Sequence, residues 1–246
     1  MTTTTWDPSE LSNVTLDATD LIATATSSSG GARGLGHQAI GKYYFEVTWN
    51  TFTAGDTSCC GVANASWNLT STSLNSSVYY ATYSGGQIAT AGTANTTSAG
   101  LVTAGQTVGV AVDLINKLIW FRIAPSGNWN GSTTANPATA TGGYSISALI
   151  TSVFAPIYPC VGFAASGDKF TANFGGSAFS GTVPSGFTSG WPSSNTYEMV
   201  TQVGAEVWVK NPSAMRVTQV GSEVWRSVAN YVAPVITAEP IVMILA

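Results

Sequence analysis

Charge is what this sequence most lacks. Lys, Arg, Asp and Glu make up 8% of its 246 residues, against about 25% in an ordinary globular protein. The eight cations are scattered and the formal net charge is -4, so no basic stripe is available to track a phosphate backbone, and nucleic acid is not expected as a partner. Histidine occurs once, at His37. With no second histidine or cysteine cluster at metal-ligand spacing, neither a metal nor any other cofactor is expected. The three cysteines are Cys59, Cys60 and Cys160; an odd count with two adjacent members makes no disulfide framework. Neighbouring residues on a strand face opposite ways, so Cys59 and Cys60 should fill two separate small spaces. No apolar run reaches the roughly 18 residues of a membrane span. The start, MTTTTWDP, has neither the charged opening nor the apolar centre of a secretion signal, so cytoplasmic synthesis without cleavage is the expectation. Helical periodicity is absent too: Gly or Pro cuts every stretch that could carry an apolar helical stripe.

Alternation of apolar and small residues is there instead. Val108, Val110 and Val112 alternate with small residues, turn chemistry follows from Asp113 to Lys117, and Leu118 to Phe121 returns with an aromatic pair, which reads as a buried hairpin. Further strands are expected at Val14 to Leu16, Leu21 to Thr26, Tyr43 to Trp49, Cys59 to Ala63, Val78 to Tyr83, Cys160 to Ala164 and Lys169 to Asn173. Gly, Ser and Asn clusters separate them at spacings typical of a sandwich. Tyr43, Phe45, Val47 and Trp49 share one face of their strand, with Glu46 and Thr48 on the other. The longest loop-like region runs from Ala124 to Tyr144, a length at which loops are often functional. Six N-x-[ST] sequons, at Asn13, Asn64, Asn68, Asn75, Asn95 and Asn130, are what a Ser/Thr-rich chain produces by chance.

After Trp191 the pattern changes. The core TQVGxEVW begins at Thr201 and again at Thr218, seventeen residues on. Gly204-Ala205 and Gly221-Ser222 sit between short alternating runs, the signature of a hairpin with Gly first in its turn. A lone two-stranded hairpin is marginal in water, so both copies need support. The terminus, IVMILA, would be an aggregation hazard if left in water and is expected to dock in its own chain or a neighbour.

Catalytic signatures are weak. Gly34-Leu35-Gly36-His37-Gln38-Ala39 satisfies G-x-G-x-x-A, but a dinucleotide site needs a strand before it and a helix after it, and it is read here as a loop between a Ser/Gly stretch and a strand. No G-x-S-x-G elbow occurs. Glycoside hydrolysis needs two carboxylates about 5 to 9.5 Å apart; Asp113 lies at a turn, Glu46 on a strand near Lys42, and Glu206 and Glu223 at equivalent repeat positions, so no acidic pair stands out. The aromatic residues lead elsewhere. Trp67, Tyr80, Tyr83 and Trp129 lie in or beside polar segments, where a ring can anchor a partner. Tyr79 and Tyr83 share a strand face and are equally compatible with a core role.

Five blocks, Gly41 to Val47, Cys60 to Ala63, Val108 to Leu114 with Leu118 to Phe121, Tyr158 to Val161 and Ala172 to Gly175, match the SPRY (B30.2-like) domain family in order and spacing. The resemblance covers roughly Trp6 to Phe187. It implies an all-β fold, a concanavalin-like antiparallel β-sandwich over residues 1–191, whose loops on one face bind peptides or proteins and sometimes glycans. Two hairpin repeats over 192–230 and an extended apolar tail over 231–246 complete the expected organisation. The Gly/Thr/Ala-rich style is similar to SPRY-like modules of bacteriophage particles, and the TQVGxEVW repeats resemble repeats of phage structural proteins. The resemblance therefore implies a non-enzymatic virion protein for host attachment or capsid decoration. Its partners would be other virion proteins, copies of itself, and a host-surface protein or glycan. Anchoring falls to Val203, Trp208, Val220, Trp225, Ile241, Ile244 and Leu245. A glycan-cleaving enzyme and a cellular peptide-binding adaptor are the alternative readings.

Overall fold

The computed structural model describes residues 3–53, 57–69, 76–81, 85–90, 93–152, 155–193, 214–219 and 222–227, with backbone alone at 93–97 and in the last two segments. The chain divides into two compact units, Met1–Asn195 and Thr196–Ala246. No α-helix occurs among the described residues.

The first unit is a sandwich of two sheets. One has seven strands, in the order β1 (Trp6–Ser12), β4 (Gly30–Gly34), β13 (Ile157–Phe163), β6 (Cys59–Asn64), β7 (Ser77–Ala81), β8 (Gln87–Thr90) and β9 (Thr93–Ser98). The other runs β12 (Tyr144–Ser145), β11 (Leu118–Ile123), β10 (Thr107–Asp113), β5 (Lys42–Thr51), β14 (Lys169–Asn173), β3 (Ile22–Ala25) and β2 (Val14–Leu16). β15 (Thr188–Ser189) pairs in parallel with Tyr43 and Tyr44, beyond the end of β14, and is that sheet's only parallel partner among the described residues.

Alternation along the strands decides which side chains enter the space between the sheets. Tyr43, Phe45, Val47 and Trp49 from β5, Val108, Val110 and Val112 from β10, and Ile119 and Phe121 from β11 meet Cys60, Val62, Val78, Tyr80, Val161 and Phe163 from the opposite sheet. This matches the face expected for β5. Cys59 packs instead with Tyr79, Ala81 and Ala89 on the outer face, so the adjacent cysteines do fill separate spaces, and all three cysteines are buried and none is in a disulfide.

Several strands have little sequence signal. β1 contains Pro8 and changes register between Trp6 and Leu11. β4 was expected to be part of a loop, yet it is a fully buried central strand. Its glycines are there for close approach: a Cβ on Gly31 would lie 2.7 Å from the Trp67 ring and one on Gly30 2.7 Å from the Ser12 carbonyl oxygen. A strand therefore does precede the G-x-G-x-x-A segment, but the segment itself bridges to Ile157 through Gln38 and β5, not a helix, follows it. The dinucleotide reading fails on the helix.

In the second unit, β16 (Ala214–Gln219) and β17 (Ser222–Ser227) form an antiparallel hairpin over the second TQVGxEVW copy. Gln219 opposes Ser222, so Ser222 belongs to β17 and not to the Gly221-Ser222 turn expected. Val203, Trp208, Val220, Ile241, Ile244 and Leu245 lie outside the described residues, and of Trp225 only the backbone is described.

Candidate functional site

The outer face of the β10–β11–β5 sheet carries a row of cross-strand neighbours: Asn173 opposes Glu46, Glu46 opposes Gly109, and Gly109 opposes Arg122. Gly109 has a steric reason to lack a side chain, since a Cβ there would sit 2.5 Å from the Tyr44 hydroxyl. The Tyr44 ring leans across the gap and donates its hydroxyl proton to Glu46 Oε1 at 2.6 Å.

The segment after β14 lies on this row. Asn173 Nδ2 donates to the carbonyls of Ser177 (3.3 Å) and Ala178 (3.0 Å), the Ser180 and Gly181 amides donate to Glu46 at 2.8 and 2.7 Å, and Arg122 donates to the Thr182 carbonyl at 2.7 Å. Phe179 packs edge-on against Tyr44 at 4.9 Å. Glu46 is buried and faces no cation within salt-bridge distance among the described residues. Its charge is held by three hydrogen bonds instead, as a buried carboxylate requires. Burial, followed by the neighbouring carboxylate, pushes the Tyr44 phenol well above its ordinary pKa, so Tyr44 stays a neutral donor.

The loop from Ala124 to Tyr144 covers the part of the β11 edge that β12 leaves open, beyond Ile119. Asn130 is buried, with φ 49°. Its Oδ1 accepts the Phe121 amide at 2.8 Å, and its Nδ2 donates to the carbonyls of Gly142 at 2.8 Å and Ile119 at 3.5 Å. One side-chain amide thus stands in for a neighbouring strand. The preceding residue, Trp129, is half-buried, edge-on to Tyr44 at 6.3 Å and beneath the Arg122 guanidinium, whose Cζ lies 4.4 Å from the ring centroid. Pro125, Ser126, Asn128, Ser180 and Thr182 around it are exposed.

The sequence-predicted binding aromatics do not come together. Tyr80 is 1% exposed and points into the core, where its hydroxyl donates to the Gly100 carbonyl at 2.6 Å and accepts the Val102 amide at 2.9 Å. Trp67 is 4% exposed, packed with Ala63 and Cys160 over the glycines of β4. Neither ring offers a contact face, because each fills a space that the opposing strand leaves. Tyr83 lies outside the described residues. Among the described members of that set Trp129 alone presents a partly open ring, and its partner Arg122 was missed. The available signal was periodicity: Leu118, Trp120 and Arg122 share the outer face of β11, next to the loop that bears Trp129.

Other groups are structural. Asp113 accepts the Ile115 and Asn116 amides and pairs with Lys42 at 2.8 Å. Asp168 accepts the Thr53 amide and the Ser58 hydroxyl. His37 stacks obliquely on Tyr158 at 5.2 Å, and burial lowers its pKa. No cluster of three potential metal ligands occurs among the described residues, and no helix among them is long and apolar enough to cross a membrane.

The loop-built face lies on the outside of a two-sheet antiparallel sandwich. The SPRY domain profile matches residues 42–177, more than half of the chain, and the chain belongs to the SPRY domain family, whose modules bind protein partners. The crystal structure of the SPRY domain of human HERC1 aligns with a TM-score of 0.54 at 18% identity, over 68% of this chain and 96% of that one. The TRIM65 PSpry domain aligns with a TM-score of 0.50 at 16% identity, over 70% of this chain and 92% of that one. At these identities the likeness is one of fold. No curated protein matches the chain.

Proposed function

We propose that this chain is a non-enzymatic structural protein of a phage or phage-like particle. In this reading its SPRY sandwich faces outward to bind a host-surface protein, in a tail, a fibre or a capsid decoration. The observation that carries the binding half is the Arg122–Trp129 pair, a half-open aromatic ring topped by a cation on the outer face of a family fold that binds proteins. The assembly half rests on the second unit. Its second repeat copy forms a two-stranded hairpin among the described residues, which by itself needs a larger support, and the apolar sequence IVMILA of the terminus favours docking to virion partners or to copies of the same chain.

The test uses particles assembled with either the full chain or a chain ending after Asn195. The shortened chain keeps Trp191 and Pro192 because both belong to the sandwich: the Trp191 indole donates to the Gly36 carbonyl at 3.0 Å, and Pro192 bridges to Thr3. The shortened chain should fold yet be absent from purified particles. Unchanged incorporation would contradict the anchor.

A further inference from the structure

The Arg122 guanidinium has few partners for a half-buried cation. It donates to the Thr182 carbonyl at 2.7 Å and sits beside the Tyr44 hydroxyl, its Nε, like that of Arg33, is buried without a hydrogen-bond partner, and no carboxylate lies within salt-bridge distance among the described residues. Glu46, the nearest acid in its row, is already occupied by Tyr44 Oη and by the Ser180 and Gly181 amides. Arg33 offers a contrast within the same chain. It too lies over an aromatic ring, Tyr158, at 4.6 Å, but Glu10 neutralises it at 2.7 Å and the Asn64 and Ala65 carbonyls accept from it. Arg122 has the stacking ring without the acid.

We infer that the Arg122–Trp129 platform is a recognition site for an acidic side chain, Asp or Glu, in an extended segment of a protein partner. The partner's carboxylate supplies the missing charge, and the flanking residue packs on the open part of the Trp129 ring. A guanidinium presents paired N–H donors that match a carboxylate, and its stacking on the indole holds those donors in one orientation before binding. No acid is among the exposed residues that flank Trp129 in the chain, Pro125, Ser126 and Asn128, or at the exposed Ser180 and Thr182. This inference deepens the protein-binding reading and is independent of how the second unit anchors.

The full chain, isotope-labelled, is titrated with two peptide pools of sequence Xaa-Xaa-Asp-Xaa-Xaa and Xaa-Xaa-Asn-Xaa-Xaa while the Trp129 indole and Arg122 guanidinium N–H signals are followed. The Asp pool should shift both signals at about tenfold lower concentration than the Asn pool, the difference expected of one charge-assisted pair. Trp129→Ala should weaken the response and Arg122→Gln should remove it. Equal responses to the two pools, shifts near Lys117 or Lys169 only, or a full response in Arg122→Gln would overturn the assignment. So would a response to acidic oligogalacturonate without one to the Asp pool. Should Arg122→Gln fail to fold, the Asp against Asn comparison on the unaltered chain decides alone. Failure here leaves particle incorporation of the full chain unaffected, so the two proposals fail separately.

Discussion

Asn130 Oδ1 accepts the backbone amide of Phe121 at 2.8 Å, and through that bond a loop residue completes the edge of a buried strand. The bond sets the position of Trp129, one residue earlier, over the outer face of the sheet. Asn130→Ala leaves the Phe121 N–H and the Gly142 carbonyl without their partner and puts alanine at a left-handed φ. The expected cost is about 2 to 4 kcal/mol, read as a lower urea midpoint with unchanged m-value. A loss below about 0.5 kcal/mol would show that the loop does not close the edge. The same bonds occupy the whole amide, so the sequon at Asn130 should carry no glycan when the chain is secreted from a eukaryotic cell, which intact mass will show.

Two glycines make unequal demands. A Cβ on Gly61 would lie 2.1 Å from the Val78 carbonyl oxygen, a backbone atom, whereas one on Gly109 would meet the hydroxyl end of Tyr44 at 2.5 Å. A ring can swing aside; a paired strand cannot. Gly61→Ala should therefore cost about 3 kcal/mol or more and Gly109→Ala about 1 to 2, with thermal melts ranking them in that order. The reverse ranking would place the rigid contact on the wrong sheet.

Acid sensitivity should trace partly to Asp113. Burial acts to raise its pKa, but Lys42 and the Asn116 amide and side chain outweigh it, so the folded carboxyl lies below the ordinary carboxylate range. A depressed folded value means that this contribution is complete above the unfolded carboxylate pKa, about 3.9, and is lost as pH falls through the lower folded value. The stability difference between the unaltered chain and Asp113→Asn should be constant from about pH 7 to 5 and shrink below about pH 4. A difference independent of pH would refute the pairing as the cause.

Native thiols should be unreactive. Cys59, Cys60 and Cys160 are buried, and burial first, then the neighbouring cysteines, pushes the Cys60 and Cys160 thiols well up. An aromatic disulfide reagent should label none of the three within minutes in buffer and all of them in denaturant. Rapid native labelling would mean that the outer face of β6 and β13 opens.

Much of the fold was legible because apolar alternation determines burial. Val14 to Leu16 and Lys169 to Asn173 coincide with observed strands, and the β10–β11 hairpin pairs as its valines and aromatics imply. What escaped was structure built from absence of side chains. β4 carries glycines because Ser12 and Trp67 press against it, and no propensity marks such a strand. Trp67 misled for the converse reason: its neighbours Ala65, Ser66 and Asn68 are exposed while its own ring is buried by tertiary contact. At the candidate site Trp129 was visible as an aromatic in a long loop. Arg122 was not, because its importance lies in the acid it does not have, which only the geometry reveals.

The most direct test is binding of the fluorescently labelled full chain to intact host cells, compared with Trp129→Ala and repeated after surface proteolysis of the cells. Saturable, protease-sensitive binding that weakens roughly 30-fold in Trp129→Ala, the loss typical of a central aromatic anchor, is the predicted result. Equal binding by the two chains, or binding indifferent to proteolysis, would contradict a protein-recognition face at Trp129.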